Sequence, residues 1–581
     1  MKKTIVIVVL LAVAAGGGVV WYLNRPTAPD IQPAELLPED TLVMIEAVHL
    51  KESVDAFRAG PLGQAFSGID LPACMGAFNA DPEEIERVSR LQSLLKASVD
   101  SPWFDILFGD LAVMAVMRPD PASLRVPSER LWHESAVMVL RPKKPAEMIQ
   151  WVGKMFSGDV TITPQNTEGV LMDRVDTGDG RPLFVAVHRG LGLVAMDPKP
   201  IVRCLGHREA DAFRPLSASD DYAALRTELS APAEGRCFVY IDLHAVLDIG
   251  LGAANRQNTG DADTAEAEKL WKGFNQAGPV IGAVMTDNGQ VLHHRWRIRY
   301  NPTELSPEAA RLLGGAPETN STLPWVPETV LYYGWQNNLD QILASVLDFS
   351  RLDAEETAEF RNEFEARTGV DFEDAVNAFG RQVAVIIQDI RIGAMFPVPE
   401  LALLAEVGQP EVIHRLMEAV VRNFGVAMKT ETDEGGFIRY VPLPFGEDIS
   451  PAYAIRDGFL VTASSRGFLK DLLAQKSVGK NLSDSPFFGA VDKSLTDPNN
   501  QAAYLRLDRA AARTGDLIKW VISLAVMTGK ADDANQMIYL SGKVVEPILH
   551  ALAQYPAVGS RTILRENGIH ADVYILKPRP E

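Results

Sequence analysis

Cysteine is nearly absent. Cys74, Cys204 and Cys237 form no C-x-x-C pair and no zinc spacing in 581 residues, which excludes a disulfide scaffold and a zinc module. A bond between Cys204 and Cys237 remains open in an oxidising compartment, but small buried hydrophobes are the plainer role. Positive charge is also scarce. Lys and Arg number 56 against 76 Asp and Glu, the formal net charge is −20, and no basic run relieves it. Nucleic acid is thereby excluded as a partner, as is broad docking on anionic lipid. The ten histidines do not cluster, and no H-E-x-x-H, Walker loop or EF-hand loop occurs. Hydrophobic residues at 47% and charged residues at 23% make a normal globular mixture, long enough for several cores.

Long apolar runs are absent but for one. Lys2 and Lys3 precede Thr4 to Leu23, an uncharged stretch of bilayer-crossing length, and Trp21 and Tyr22 fall where the far interface would lie. The expectation is a single-pass anchor through residues 4–23, with the N-terminus cytoplasmic and the bulk of the chain periplasmic. Cleavage after a signal peptide is the alternative, because Ala12-Val13-Ala14 is a small-x-small site. Residues 24–33, rich in proline, read as a short stiff tether.

The C-terminal half repeats the N-terminal half. Asn288-Gly289 sits between strand-like runs at Val280 to Met285 and Val291 to Tyr300, and Asn567-Gly568 sits between Val558 to Leu564 and His570 to Leu576. Matching pieces recur in one order at offsets of roughly 265–290 positions, a domain-sized period. Leu37-Pro38-Glu39-Asp40-Thr41 leads into a strand at Leu42 to Val48, as Val326-Pro327-Glu328-Thr329 leads into Val330 to Trp335. Helices follow at Leu50 to Phe57 and Leu339 to Val346. A second helix begins after Asp81-Pro82, with Ile85, Val88, Leu91, Leu94 and Leu95 in one stripe; its partner begins at Asp353 and closes near Gly369.

Further strands pair Leu111 to Met117 with Val383 to Ile387, and Ala136 to Leu140 with Leu401 to Val407. Helices at Ala146 to Phe156 and Glu411 to Phe424 come next. Strands at Leu183 to His188 and Gly192 to Met196 match Ala452 to Arg456 and Phe459 to Ala463, and Phe238 to Leu243 matches Ala503 to Asp508. The expected fold is α+β, a tandem duplication of a largely antiparallel-sheet domain with helices, preceded by one transmembrane helix. The boundaries are 1–33 for anchor and tether, 34–303 for repeat 1, 304–321 for a linker and 322–581 for repeat 2.

The copies differ where insertion is cheap. Copy one carries a polar stretch at Ala253 to Asp263; copy two places the nearly all-apolar helix Leu517 to Met527 there. At about half the length of a span, it reads as a helix buried between the halves. A face lying on the bilayer, or gripping an acyl chain, is the sharper alternative.

No motif amounts to an active site. Gly190-Leu191-Gly192-Leu193-Val194-Ala195 fits a dinucleotide fingerprint in letters, but forms a turn and strand rather than a strand and helix. Ser93-Leu94-Leu95-Lys96 fits S-x-x-K without its companion motifs and lies inside a helix. Ala463-Ser464-Ser465-Arg466-Gly467 reads as a strand end and helix start. His293 and His294 point to opposite faces of a strand. Glu355-Glu356 and Asp532-Asp533 are solvated helix surface. Asn320-Ser321-Thr322 and Asn481-Leu482-Ser483 are formal glycosylation acceptors. Hence no catalytic, cofactor-binding or metal-ligating residue is nominated, and no cofactor is expected.

Leu37-Pro38-Glu39-Asp40-Thr41-Leu42, Gly60-Pro61-Leu62-Gly63 (read as a turn) and Thr368-Gly369-Val370-Asp371-Phe372-Glu373-Asp374 through Gly380 resemble the bacterial domain-of-unknown-function family 3352, as does an anchor followed by α+β repeats. The likeness covers nearly all the chain after the anchor; Ser101-Pro102-Trp103-Phe104 departs from it by lacking a Gly-x-Asp lead-in. It implies an envelope location and carries over no catalytic residue. The expected function is a membrane-anchored binding or scaffolding protein, with an envelope protein or lipid as partner. An envelope hydrolase assembled from distant segments, a hydrophobic-ligand binder and a purely structural subunit are the alternatives.

Overall fold

The computed structural model describes residues 31–578, apart from 79, 121–132, 143–160, 177–181, 207–212, 230–236, 250–271, 347–353, 393–395, 424, 434, 444–448 and 529–530. The expected anchor at 4–23, the helix at 146–156 and the polar insertion at 253–263 lie outside the described residues. Among the described residues no helix is long and apolar enough to cross a membrane. The chain forms two compact units: one runs to Asp287 and takes in His294–Glu304, and the other comprises Asn288–His293 with the chain from Leu305 onward.

In the first unit the strands are β1 (Thr41–Val48), β2 (Leu111–Met117), β3 (Ala136–Arg141), β4 (Thr161–Thr167), β5 (Val170–Asp176), β6 (Pro182–His188), β7 (Leu191–Ala195), β8 (Cys237–Asp242), β9 (Val280–Asp287) and the later part of β10 (Val291–Arg299). They pair antiparallel in the order β4-β5-β6-β7-β3-β2-β1-β8-β9, and β10 pairs with β9. Helices α1 (Leu50–Ala59), α2 (Pro61–Ser67), α3 (Leu71–Ala77), α4 (Pro82–Asp100) and α5 (Pro102–Phe108) separate β1 from β2. Two more, α6 (Pro198–Leu205) and α7 (Asp220–Glu228), follow β7. Their Ile201, Val202 and Leu225 join Met44, Ala115, Val137, Leu193 and Tyr240 in a core on one face of the sheet.

The second unit holds β11 (Tyr332–Gln336), β12 (Phe379–Ile392), β13 (Pro397–Val407), β14 (Lys429–Asp433), β15 (Gly436–Tyr440), β16 (Ala452–Arg456), β17 (Phe459–Ala463), β18 (Gln501–Leu505), β19 (Val558–Arg565) and β20 (Gly568–Leu576). Their order is β14-β15-β16-β17-β13-β12-β11-β18-β19-β20, again antiparallel throughout. Strand for strand, this is the order of the first unit. Its helices are α8 (Pro307–Leu313), α9 (Leu339–Val346), α10 (Ala354–Thr368), α11 (Phe372–Asn377), α12 (Pro410–Asn423), α13 (Arg466–Val478), α14 (Pro486–Val491), α15 (Leu507–Met527), α16 (Ala531–Leu540) and α17 (Glu546–Leu552). Phe468, Leu469 and Leu472 of α13 and Phe488 and Val491 of α14 pack on Tyr333, Trp335, Ile386, Leu404, Val461 and Tyr504. Each such large side chain, withdrawn from water, contributes about 1.5–3 kcal/mol.

Turn chemistry repeats with the topology. Arg189-Gly190 joins β6 to β7 with φ of 49° and 83°, and Asp457-Gly458 joins β16 to β17 with 49° and 79°. Two successive positive φ values suit the right-handed twist of a two-residue hairpin. Gly190 and Gly192 therefore belong to a hairpin, not to a phosphate-binding loop.

Three expectations change. The stretch 304–321 is more than a linker: Ser306 caps α8 by accepting from the Ala309 amide at 3.2 Å, and Glu318 bridges to Asn499. The buried Asn320 donates to Tyr333 Oη at 2.7 Å, while Thr322 Oγ1 lies 2.6 Å from that oxygen. Polar residues that read as loop are here the satisfied partners of a buried tyrosine. Second, Gly60-Pro61-Leu62-Gly63 is a helix junction rather than a turn. A Cβ on Gly63 would sit 2.0 Å from the Phe57 carbonyl oxygen, so only glycine lets α2 close on α1. Third, the apolar helix is not core. Within α15 only Ala511 is buried, and Val521, Leu524, Val526 and Met527 are exposed, Met527 at 74%.

Candidate functional site

Each sheet has a second face. Alternation along β1 sends Met44 into the core and Val43, Ile45 and Ala47 to the opposite side. Ile45 lies opposite Met114 of β2 and Val239 of β8. Val43 is flanked by Val116 and Ile241, and Ile241 by Ile281 of β9. Every one of these side chains is apolar. Met114, Val239, Ile241 and Ile281 are only half-buried, and Ile45 at the centre is 37% exposed. On the β2–β3 side the same face is shut, with Met138 and Leu140 buried and α5 packed on both strands.

The second unit repeats the arrangement. Leu403 of β13 stands between Val385 of β12 and Thr462 of β17, while Leu401 stands beside Ile387. Ile387 is opposite Tyr332, which is opposite Leu505, which is opposite Val558. Leu401 and Leu403 are 38% and 37% exposed. In β11 a Cβ on Gly334 would come within 2.5 Å of Tyr332 Oη, so glycine lets that phenol lie flat along the sheet. An open sheet face normally carries polar side chains; the residues named on these two are mostly aliphatic or thioether, joined by the Thr462 hydroxyl and the Tyr332 phenol, and none is charged. A contiguous exposed apolar patch marks a place where apolar matter binds.

Beside the second face stands α15, fixed at its base. Arg513 donates from Nε and Nη2 to Asp389 Oδ1 and Oδ2 at 2.6 and 2.7 Å, and Arg509 donates to the Gln388 and Thr329 carbonyls. Asp389 follows a bulge in β12, where the register with β13 slips after Ile387. Burial raises the Asp389 pKa, but the Arg513 hydrogen bonds and the two guanidinium charges outweigh it, holding the carboxyl below its ordinary range. Beyond this clamp Leu517, Trp520, Val521, Leu524 and Met527 recur at helical spacing on one stripe. Val521, Leu524 and Met527 of that stripe are exposed. Helices α16 and α17 also pack on α15.

The residues singled out in the sequence do not converge. Ser93 and Lys96 are exposed on α4. Ser465 caps α13, accepting from the Phe468 amide at 3.1 Å, and Ser464 donates to the Pro399 carbonyl at 2.7 Å. His293 stacks on Tyr574 with ring centroids 4.3 Å apart, its Nε2 3.5 Å from Asp572. The three cysteines are free thiols. Cys237, half-buried beside the open face of the first unit, has its pKa pushed up by burial and then by the Glu46 carboxylate, so it is a neutral thiol rather than a nucleophile. Asn320 is buried, and Asn481 spends its side chain capping Ser483. Among the described residues no group of three or more His, Cys, Asp and Glu could hold a metal ion. No motif marks Ile45, Leu401 or Leu403; their one sequence signal is apolarity on both faces of a strand.

No family model and no curated protein matches the chain. Among solved structures it is similar to "Structure of crystal form III of TP0453", at 12% identity and a TM-score of 0.22, with 45% of this chain and 80% of that one covered. A likeness so slight carries no argument about fold or function.

Proposed function

We propose that this chain is a membrane-anchored, extracytoplasmic binding protein of the bacterial envelope. Residues 4–23 hold it in the inner membrane, and its sheets take up an apolar ligand of the acyl-chain type. The observation that supports the ligand class is the uncharged, half-open face around Ile45 in one unit and around Leu401 and Leu403 in the other. Faces that are mainly aliphatic and carry no charge select for shape and apolarity rather than for a charged headgroup. The uncharged run after Lys2 and Lys3 supports the location. Membership of the bacterial domain-of-unknown-function family 3352, proposed on the motifs quoted above, agrees with it.

The test is a titration of the purified full-length chain with a fluorescent long-chain fatty acid, alongside lipid extraction and mass spectrometry of the protein as isolated. Saturable uptake that Leu403→Asp and Ile45→Asp each weaken supports the reading. Uptake indifferent to both substitutions would remove it.

A further inference from the structure

We propose that α1–α3 of the first unit rest on the bilayer surface, with Phe57, Phe66, Leu71 and Phe78 seated at the level of the headgroups and upper acyl chains. The proposal rests on the anchored reading above and adds a second point of membrane contact. Phe57 and Phe66 are 52% and 50% exposed, and their rings stack with centroids 6.4 Å apart. Leu71 and Phe78 are exposed in the same run of helices. Large apolar side chains gathered on the outside of neighbouring short helices mark a surface that meets other apolar matter, a membrane among them, and aromatic rings favour the headgroup level.

Comparison of the units shows that these helices are an addition. In the second unit α9 ends at Val346 and α10 begins at Ala354, leaving seven positions between them. In the first unit the corresponding helices α1 and α4 end at Ala59 and begin at Pro82, and α2 and α3 fill the gap. The added helices thus belong to the unit that follows the apolar run 4–23.

Chain length keeps the first unit within reach of the bilayer. Ile31 is buried in the first unit, and its carbonyl accepts from Arg141 Nη2 at 2.8 Å. Only residues 24–30 separate it from Leu23, and seven residues span at most about 25 Å. A unit of this size has a radius of gyration of about 18 Å, so its free reach is less than its own width. With residues 4–23 in the membrane, the unit stays beside the bilayer, and the exposed aromatic rings select α1–α3 as the side that meets it. Charge does not draw these helices to anionic lipid: residues 50–78 carry Lys51 and Arg58 against Glu52, Asp55 and Asp70, a net charge of −1. Lys51 pairs with Asp55, and Arg58 with Asp100. The contact is therefore apolar and insensitive to salt.

The test uses the full-length chain in phosphatidylcholine–phosphatidylglycerol vesicles, with photoreactive benzoylphenylalanine placed singly at Phe66, at Phe78 and, as control, at Phe437 of the second unit, which is more exposed than either. Alkaline carbonate extraction is read in parallel. Retention in the membrane with phospholipid adducts at 66 and 78, unchanged by high salt and several-fold above 437, is the expected result. Retention with no lipid adduct at 66 and 78, or with protein adducts there instead, would overturn the surface contact while leaving the anchor standing. Release by carbonate would overturn the anchor, and this proposal with it.

Discussion

Glu406 packs directly on the backbone of Gly380. A Cβ on Gly380 would lie 2.5 Å from Glu406 Cγ, and that glutamate is held in place because its Oε2 accepts the amides of Arg381 at 2.9 Å and Gln382 at 3.0 Å. This contact sets the start of β12, where the register with β13 slips after Phe379. Gly380→Ala is expected to cost about 1–3 kcal/mol through overpacking. Glu406→Ala strips two amides of their acceptor, whereas Glu406→Gln keeps one oxygen and should be milder. Urea unfolding midpoints of the three variants check the ranking.

The Asp389–Arg513 pair makes stability depend on pH in a definite direction. The folded pKa of Asp389 lies below its unfolded value, so its contribution is complete above the ordinary aspartate range. It is lost as pH falls through that range and on through the depressed folded value. Asp389→Asn should be less stable than wild type at neutral pH and should show a shallower loss on acidification. Unfolding midpoints across the acid range, with far-UV helicity as the probe, give both slopes. Equal slopes would mean that the clamp does not couple to folding.

Buried polar contacts, not loop flexibility, govern residues 318–325. Tyr333 is fully buried, with burial driving its pKa up, and it stays a neutral phenol shared by Asn320 and Thr322. Tyr333→Phe leaves both partners without that oxygen and should cost about 1–3 kcal/mol. Limited proteolysis of the wild type should spare this stretch, which a free linker would not survive. Asn320 should likewise stay unmodified in a glycosylating host, since its side chain is enclosed.

Stoichiometry separates one site from two. If both open faces bind, saturation should approach two fatty acids per chain, and Ile45→Asp or Leu403→Asp should each remove one. Ile45 and Leu403 are still more than half covered, so each Asp should also cost about 1–3 kcal/mol, and far-UV circular dichroism must show each variant folded before its count is read. Isothermal titration with the single and double variants gives the count.

Strand positions, though not their order in the sheet, were legible where chemistry is local and repeated. Asp457-Gly458 and Arg189-Gly190 announce hairpins, and the β16 and β17 limits at Ala452, Arg456, Phe459 and Ala463 follow from alternation. The hairpins β4–β5 and β14–β15 were not legible. Thr161–Thr167 contains Pro164 and is largely exposed, and Lys429–Asp433 has no apolar residue to alternate. Both are held by backbone pairing rather than by burial. The open faces were hidden for a different reason. Val383, Val385 and Ile387 alternate with the buried Ala384 and Ile386, a run that reads as a strand covered on both sides. Only the placement of helices shows which side was left uncovered. The same applies to α15, whose composition reads as interior although Met527 faces solvent.

The seat of Gly63 on the Phe57 carbonyl has a thermodynamic consequence. It makes the α1–α2 elbow a stiff bracket, so the two stacked rings hold their spacing before any surface arrives. Docking then need not freeze a wandering loop, and the loss of conformational freedom that weakens adaptable contacts is already met during folding. A Gly63→Ala chain that still folds should keep its rings but lose their fixed spacing, and would grip its target more weakly with every contacting atom still present.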